Sequence, residues 1–177
     1  MSRLVEWSPA WENAVQEYKK EFRMAGMDWE GRCGLHEPES DMAEERACVS
    51  STYLYVREED DRILGMLNLR RGQTGEELAR IGNIGFSVRP SEQKKGYAVR
   101  MRLEAVPLSV MQGIIPWYMV CLASNTASKK VIARLGGRKQ GETMETEEMP
   151  ATERYVIYDV FCFLFYFCSG KMNYYTF

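Results

Sequence analysis

Hydrophobic and polar residues follow the period of a helix in three parts of the chain and the period of a strand in several others. The first helical part opens with Ser8 and Pro9, where a serine cap and a proline in the first turn are common. Its apolar face consists of Trp11, Ala14, Val15, Tyr18 and Phe22. This spacing predicts a helix that ends near Gly26.

Two more helices are predicted in the second half of the chain. One begins near Gly96, and its apolar residues are Ala98, Met101, Ala105 and Leu108. Pro107 should kink or end this helix, because proline lacks an amide hydrogen and its ring clashes with the preceding turn. The other begins at Asn125 as cap and ends at a Gly-Gly pair. Its apolar face consists of Ala127, Val131, Ile132 and Leu135.

Strand patterns account for most of the remaining apolar residues. The stretch STYLYVREEDDRILGMLNLRR predicts two strands joined by an acidic turn at residues 59–61, and IGNIGFSV predicts a third strand after a polar turn. WYMVCLA predicts a further strand, and two more lie near residues 138–144 and 154–163. A short helix fits residues 41–48. The order of elements indicates one α/β domain, residues 1–177, around a mixed sheet.

Composition excludes several classes of function. The net charge of −2 gives no general attraction to nucleic acid or to an anionic membrane, so we expect neither as a partner. The amino terminus lacks the apolar stretch of a secretory signal, which favours a cytoplasmic protein. The five cysteines are odd in number and contain no C-x-x-C pair. Neither a disulfide framework nor a structural zinc site is therefore expected.

The carboxyl-terminal part of the chain is unusually apolar. A helix needs about 20 apolar residues to span a bilayer, and the run at residues 155–168 is shorter and rich in aromatic residues. We therefore expect a buried strand there. The aromatic end after it, residues 169–177, could pack on its own chain or on a partner, which makes a homodimer possible.

The stretch RPSEQKKGYA, residues 89–98, combines three features of an anion site. It lies at the start of a predicted helix, where unpaired amide hydrogens and the helix dipole attract anions. Gly96 lets a ligand approach the backbone closely, because glycine has no side chain. The nearby cations, offset by Glu92, are Arg89, Lys94, Lys95, Arg100 and Arg102. The spacing of a nucleotide P-loop or of a dinucleotide fingerprint is absent, and a solvated surface turn is the alternative.

The same stretch resembles the acyl-coenzyme A motif of the GNAT acetyltransferase superfamily, Gln/Arg-x-x-Gly-x-Gly/Ala at the mouth of a helix. Gln93, Gly96 and Ala98 match that motif. SNTASKKVIARLGG is similar to a later helix of the family, and ERYVIYDV is similar to its closing strand. EYKKEF, the Gly-Leu of RCGLHE and ILGMLNLRR resemble the amino-terminal half of one bacterial branch. The resemblance covers most of residues 10–160.

The resemblance implies a mostly antiparallel central sheet of roughly six to seven strands, flanked by about four helices. It also implies a splayed strand pair at the site of acetyl-coenzyme A, which serves as co-substrate without a metal. The diphosphate would lie at the turn and the pantetheine arm along the strand, where an amide near Val88 would polarise the thioester carbonyl. The residues expected to bind it are Phe86, Ser87, Val88, Gln93, Lys94, Lys95, Gly96, Tyr97, Ala98, Asn125 and Ser128.

Two positions depart from the family's pattern. Many members have a tyrosine, which protonates the leaving thiolate, where this chain has Ile132, and the bacterial branch often has a histidine at Asn83. Coenzyme A can leave as the thiolate, or it can take a proton from water or from another tyrosine such as Tyr97, and no catalytic residue is assigned. His36, the only histidine, could serve as a base because carboxylates lie near it in the sequence, or it could be an exposed loop residue. Cys121 is expected to be a buried thiol rather than a nucleophile.

The resulting hypothesis is an N-acetyltransferase that moves acetyl directly from acetyl-coenzyme A to an amine in a ternary complex. A small-molecule amine is expected rather than a protein. The alternatives are a catalytically silent acyl-coenzyme A-binding or regulatory module on the same fold, and a structural protein in which the lysine turn is only surface.

Overall fold

The computed structural model describes residues 1–27, 49–73, 75–146 and 150–158. These residues form seven strands and four α-helices, which confirms the predicted α/β class. In chain order the elements are β1 Ser2–Glu6, α1 Glu12–Met24, β2 Val49–Arg57, β3 Arg62–Arg71, α2 Gly75–Ile81, β4 Ile84–Val88, α3 Tyr97–Met111, β5 Trp117–Leu122, α4 Thr126–Arg134, β6 Arg138–Thr143 and β7 Thr152–Ile157. Short 3-10 turns, Pro9–Trp11 and Pro90–Glu92, precede α1 and α3.

The strands form two sheets in which every neighbouring pair is antiparallel. The first has the order β1-β2-β3-β4 and the second the order β5-β7-β6. The acidic turn predicted between β2 and β3 is present, and Arg57 pairs with Arg62 across it. In these two orders β4 ends the first sheet and β5 begins the second, so both are edge strands.

Two apolar clusters lie on opposite faces of the first sheet, because successive side chains of a strand point to opposite faces. Val15, Tyr18 and Phe22 of α1 pack on one face, as the helical pattern predicted. Helix α3 packs on the other face through Met101 and Ala105. This second cluster extends to the second sheet and includes Trp117, Met119, Ile132, Leu135 and Ile157. The α3 cluster thus holds the two sheets together.

Four details differ from the sequence-based predictions. The stretch predicted as a polar turn contains helix α2, and of the kink or end predicted at Pro107 the end does not occur, because α3 continues to Met111. Ser8 makes no side-chain hydrogen bond at the helix start, although the proline lies in the first turn as predicted. Ala127 is exposed, so it does not belong to the apolar face of α4.

Several predictions lie outside the described residues. They are the short helix at residues 41–48, the part of the predicted last strand beyond residue 158, the aromatic terminal segment and the loop around His36. Within the described residues that strand ends at Ile157, and Tyr158 is exposed rather than buried. No helix in the described part of the chain is long and apolar enough to cross a membrane.

Candidate functional site

The two sheets meet where β4 and β5 begin, and Asn83 joins them there. The Asn83 main-chain N–H donates to the Tyr118 carbonyl oxygen at 2.9 Å. Its side-chain oxygen accepts from the Tyr118 N–H at 2.8 Å, and its side-chain nitrogen donates to the Pro116 carbonyl oxygen at 2.9 Å. The approach is so close that a Cβ at Gly82 would collide with the Tyr118 carbonyl. Asn83 is therefore a structural bridge rather than a group with a free side chain.

Beyond Asn83 the facing edges of β4 and β5 are separate. Among the described residues, no other backbone hydrogen bond connects the two strands. We call this opening, between residues 84–88 of β4 and 118–122 of β5, the strand gap. The predicted splayed strand pair is thus present, with its closed end at Asn83.

The backbone of β4 presents hydrogen-bonding groups to the strand gap. The Arg89 N–H donates to the Leu64 carbonyl of β3 at 2.9 Å. Because backbone groups alternate along a strand, those of Val88 and Phe86 point away from β3. The Ser87 side chain points to the face of the sheet that α1 covers, where its hydroxyl lies 3.0 Å from the Tyr18 hydroxyl.

The turn that follows β4 ends in a segment, residues 94–98, whose amides have no acceptor in the described chain. Lys94 and Gly96 have φ angles of 63° and 82°, in the left-handed region that favours glycine. A Cβ at Gly96 would meet no atom within 4 Å, so open space lies in front of it. Within the described chain, the amides of residues 94–98 donate to no protein acceptor. An anion can approach them directly.

Fewer cations surround this turn than the sequence suggested. Arg89 points inward, where its Nε donates to the Ile63 carbonyl at 2.6 Å and its guanidinium pairs with Glu21 at 2.9 Å. Lys95 pairs with Glu92 at 2.8 Å. Lys94 is exposed and has no ion-pair partner among the described residues. The attraction for an anion here therefore comes from the free amides, Lys94 and Arg100, which is exposed in the first turn of α3 beside the Tyr97 ring, rather than from all five cations.

Glu21 anchors the turn to α1. Its carboxylate accepts from the Ser91 N–H at 2.7 Å and pairs with Arg89. Burial alone would raise the pKa of Glu21, but the hydrogen bonds from Ser91 and the Arg89 guanidinium hold that pKa below its ordinary value. The charged carboxylate therefore helps to fix the 3-10 turn that leads into α3.

The remaining residues of the motif occupy two environments. The Gln93 side-chain nitrogen donates to the Val88 carbonyl at 3.3 Å, which ties the turn to the end of β4. The Tyr97 ring packs against Tyr55 with a centroid distance of 6.2 Å, and it and Ala98 are half-buried. Arg102 lies fully buried on the inner side of α3, so it does not belong to the anion site.

Asn125 and Ser128 form the start of α4, which follows β5. The Asn125 side-chain oxygen accepts from the Ser128 N–H at 2.9 Å, which confirms the predicted helix cap. That oxygen is therefore already bonded. The Ser128 hydroxyl has no hydrogen-bond partner in the described residues, so contact with a cofactor remains a prediction for both residues.

Groups that could move a proton are scarce near the strand gap. Ile132 is an apolar core residue. Cys121 is half-buried rather than buried as predicted, and its partial burial raises the pKa of the thiol, which does not favour a nucleophile. Tyr155 donates to Glu153, and burial together with that carboxylate raises the pKa of the phenol.

Sequence reasoning missed the Glu153–Tyr155 pair. The sequence signal that could have revealed the pair is its spacing, because side chains two residues apart on a strand lie on the same face. Lys129 and Lys139 lie 3.5 and 3.3 Å from the Glu153 carboxylate. In the described part of the chain, no three His, Cys, Asp or Glu side chains are placed to hold a metal ion.

Comparisons with known proteins show the family and the fold to which the chain is similar. The profile described as the acetyltransferase (GNAT) family matches residues 11–137. Among solved structures, ribosomal-protein-S5-alanine acetyltransferase from Vibrio fischeri has a TM-score of 0.66 at 16% identity, with 89% of this chain and 93% of that chain covered. Spermidine N-acetyltransferase from Vibrio cholerae, in complex with CoA and spermine, has a TM-score of 0.62 at 12% identity, with coverage of 88% and 94%.

A third similar structure is a ribosomal L7/L12 alpha-N-protein acetyltransferase in complex with coenzyme A. Its TM-score is 0.65 at 16% identity, and the match covers 90% of this chain and 96% of that chain. A search of curated proteins by sequence finds no match. The similarities to solved structures extend over the predicted fold, in which the strand gap and the turn at Gly96 lie side by side.

Proposed function

Because the chain belongs to the acetyltransferase (GNAT) family, we propose that it transfers acetyl from acetyl-coenzyme A directly to an amine in a ternary complex. The observation that carries the proposal is the row of free amides at residues 94–98 beside the open edge of β4. Two solved relatives contain coenzyme A, which supports the same co-substrate here.

Backbone groups of the site bind the co-substrate and polarise its thioester carbonyl. The free amides and the amino terminus of α3 bind the diphosphate, and Gly96 allows it to come close. The pantetheine arm lies along Phe86 and Val88 in the strand gap. The Val88 amide donates to the thioester carbonyl and stabilises the negative charge that develops on its oxygen.

The chemistry is a single displacement. The amine nitrogen attacks the thioester carbon, the new C–N bond forms, the C–S bond breaks and coenzyme A leaves with the thiol proton. Positioning the two reactants supplies much of the acceleration, because it replaces an encounter in solution. The proton donor and acceptor remain unassigned, with Tyr97 and water as candidates.

The acceptor that we propose is a small-molecule amine. The similar spermidine N-acetyltransferase was solved with spermine, which supports this class. The two ribosomal-protein acetyltransferases provide the competing class, the amino terminus of a protein. A panel of polyamines, free amino acids and short peptides, with thiol release from acetyl-coenzyme A as readout, separates the classes. Transfer to peptides alone would reject the small-molecule acceptor.

A second candidate is a silent acyl-coenzyme A-binding module. Both polar atoms of the Asn83 side-chain amide are hydrogen-bonded to backbone groups and Ile132 is apolar, so neither can move a proton. Tight binding of coenzyme A without transfer to any amine of the panel would favour this candidate. If coenzyme A did not change the melting temperature of the protein, the result would instead favour a structural protein in which the lysine turn is only surface.

Gly96→Glu tests the binding site. Glutamate would place a side chain in the open space and a negative charge beside the diphosphate, so we expect coenzyme A to bind about 100-fold more weakly. Gly113→Glu is the matched control, because Gly113 also has a positive φ, 69°, and a Cβ there would likewise meet no atom within 4 Å. Calorimetry should show normal affinity for this control. If both variants bound coenzyme A with equal affinity, the diphosphate site could not lie at this turn.

A homodimer and a cytoplasmic location stay predictions. β6 is an edge strand of the second sheet, and its residues are largely exposed in the described chain. An edge of this kind can pair with a second copy. Sedimentation analysis measures the oligomeric state.

A further inference from the structure

Arg102 is a buried cation whose side chain has no hydrogen bond within the described part of the chain. Its side chain has 0% exposure, and Nε and both terminal nitrogens have no hydrogen-bond partner in the described residues. The guanidinium carbon lies 3.3 Å from the centre of the Phe86 ring. The ring attracts the cation through its face, but it accepts none of the N–H hydrogens.

This arrangement is unusual because buried charges are ordinarily paired. An arginine has five N–H donors, and leaving them unbonded in a protein interior is costly. Leucine or methionine would fill the same space on α3 without that penalty. The retained guanidinium therefore indicates a missing acceptor.

The position of Arg102 relates it to the strand gap. Phe86, which it contacts, lies on β4, and the electrostatic neighbour Cys121 lies on β5. The guanidinium thus lies against β4 at Phe86, which stands between Asn83 at the closed end of the strand gap and Val88 at its open end, and its charge acts on Cys121 of the facing strand. An arm that enters from the turn at Gly96 passes Val88 first and carries its acyl group toward Phe86.

We propose that Arg102 binds a carboxylate at the far end of the transferred acyl group, so that the preferred donors are coenzyme A thioesters of dicarboxylic acids. This inference rests on the proposed function, since it assumes acyl-coenzyme A in the strand gap. A carboxylate matches the guanidinium with two parallel hydrogen bonds and cancels its charge. A neutral acyl chain offers neither.

The wild-type protein tests the inference by a comparison of matched ligands. Malonyl-coenzyme A and isovaleryl-coenzyme A have acyl groups of nearly equal shape, but only malonyl has a carboxylate. We expect malonyl-coenzyme A to bind at least about 10-fold more tightly by calorimetry. Succinyl-coenzyme A measures the chain length that the site prefers.

Arg102→Met assigns the preference to this side chain. Methionine keeps an unbranched apolar side chain in the core, and we expect the preference for malonyl over isovaleryl to disappear or reverse. Arg134→Met, which changes an exposed arginine on α4, is the control and should keep the preference.

The outcomes separate this inference from the proposed function. Binding of acetyl-coenzyme A without any preference for malonyl over isovaleryl would overturn the inference and leave the proposed function standing. A preference that survives Arg102→Met would also overturn it. Failure of every acyl-coenzyme A to bind would overturn both.

Discussion

The cost of a buried residue depends on its partners, and two buried arginines of this chain differ in that respect. Arg70 donates to the Ile81 carbonyl at 3.1 Å, whereas Arg102 has no hydrogen bond among the described residues. Replacing an unpartnered buried charge with an apolar residue is often stabilising. We expect Arg102→Met to raise the free energy of unfolding by about 1–3 kcal/mol. Chemical denaturation without ligand measures it.

Arg70→Met should have the opposite effect on the free energy of unfolding. It removes a buried donor and leaves carbonyl oxygens without their partner, so stability should fall by about 1–3 kcal/mol. If Arg102→Met lowered stability as much as Arg70→Met, then Arg102 would have a protein partner in solution.

At the residue scale, sequence patterns predicted positions better than partners. Arg102 follows Ala98 by four residues and precedes Ala105 by three, so helical spacing already placed it on the apolar face. Its charge nevertheless led to its assignment to the anion site. Asn125 was correctly predicted as a helix cap, because capping is a local interaction. The inward turn of Arg89 depends on Glu21, which is distant in sequence and gave no local signal.

Helix α3 contains a proline, Pro107, at an interior position that is unfavourable for a helix. The residue is exposed and lies inside the helix, where proline is about 3 kcal/mol less favourable than alanine. Pro107→Ala should therefore stabilise the protein by about 1–3 kcal/mol, which corresponds to roughly 3–10 °C in melting temperature. Pro9→Ala is the control, since proline in a first turn replaces an amide that has no partner there. A thermal melt in which both changes act alike would show that Pro107 is not strained.

The contact between α1 and the turn before α3 should depend on pH. The pKa of Glu21 is lower in the folded protein than its ordinary value of 4.5, so its charged form stabilises the fold. That stability is fully present above 4.5 and is lost as the pH falls through the lowered folded pKa. Glu21→Gln should thus destabilise the protein at neutral pH and match the wild type in acid. Urea titrations at several pH values measure the difference.

Glu17→Gln is the control for this effect, because Glu17 is an exposed residue of the same helix. Its stability should follow the wild type at every pH. A Glu21→Gln difference that persists in acid would mean that packing rather than charge is responsible.

At the element scale, long amphipathic patterns were predicted and short elements were not. Helix α2 has seven residues, none of them buried, and glycines lie close to both ends. A helix that short has no complete apolar face for a periodic pattern to reveal. Strands β2 and β3 were predicted correctly, because their acidic turn separates two long apolar runs.

At the scale of the whole molecule, the arrangement of sheets was predictable only through resemblance. Alternation of apolar residues identifies strands, but it does not determine which strands pair. The resemblance at Gln93, Gly96 and Ala98 implied the splayed pair, and the structure has it between β4 and β5. The side chain of Asn83, which closes one end of the strand gap, compensates for pairing that the two edge strands lack.

A ligand in the strand gap should connect the two sheets, and hydrogen exchange can observe this. Coenzyme A should slow exchange at residues 94–98 through its diphosphate, and at Phe86, Val88 and residues 119–122 through its pantetheine arm, which would lie between the two strand edges. The ladder between β1 and β2, which is already complete, should exchange as before. At 100 times its dissociation constant, the ligand should add about 2.7 kcal/mol to global stability.

3′-Phospho-ADP, which is coenzyme A without the pantetheine arm, is the matched ligand for this experiment. It should protect the amides of residues 94–98 and leave the strand edges unchanged, because only its diphosphate has a place in the site. Protection of both strands by this shortened ligand would mean that the sheets close together without an arm between them. In that case the diphosphate alone would order the strand gap, and the path of the thioester would have to lie elsewhere.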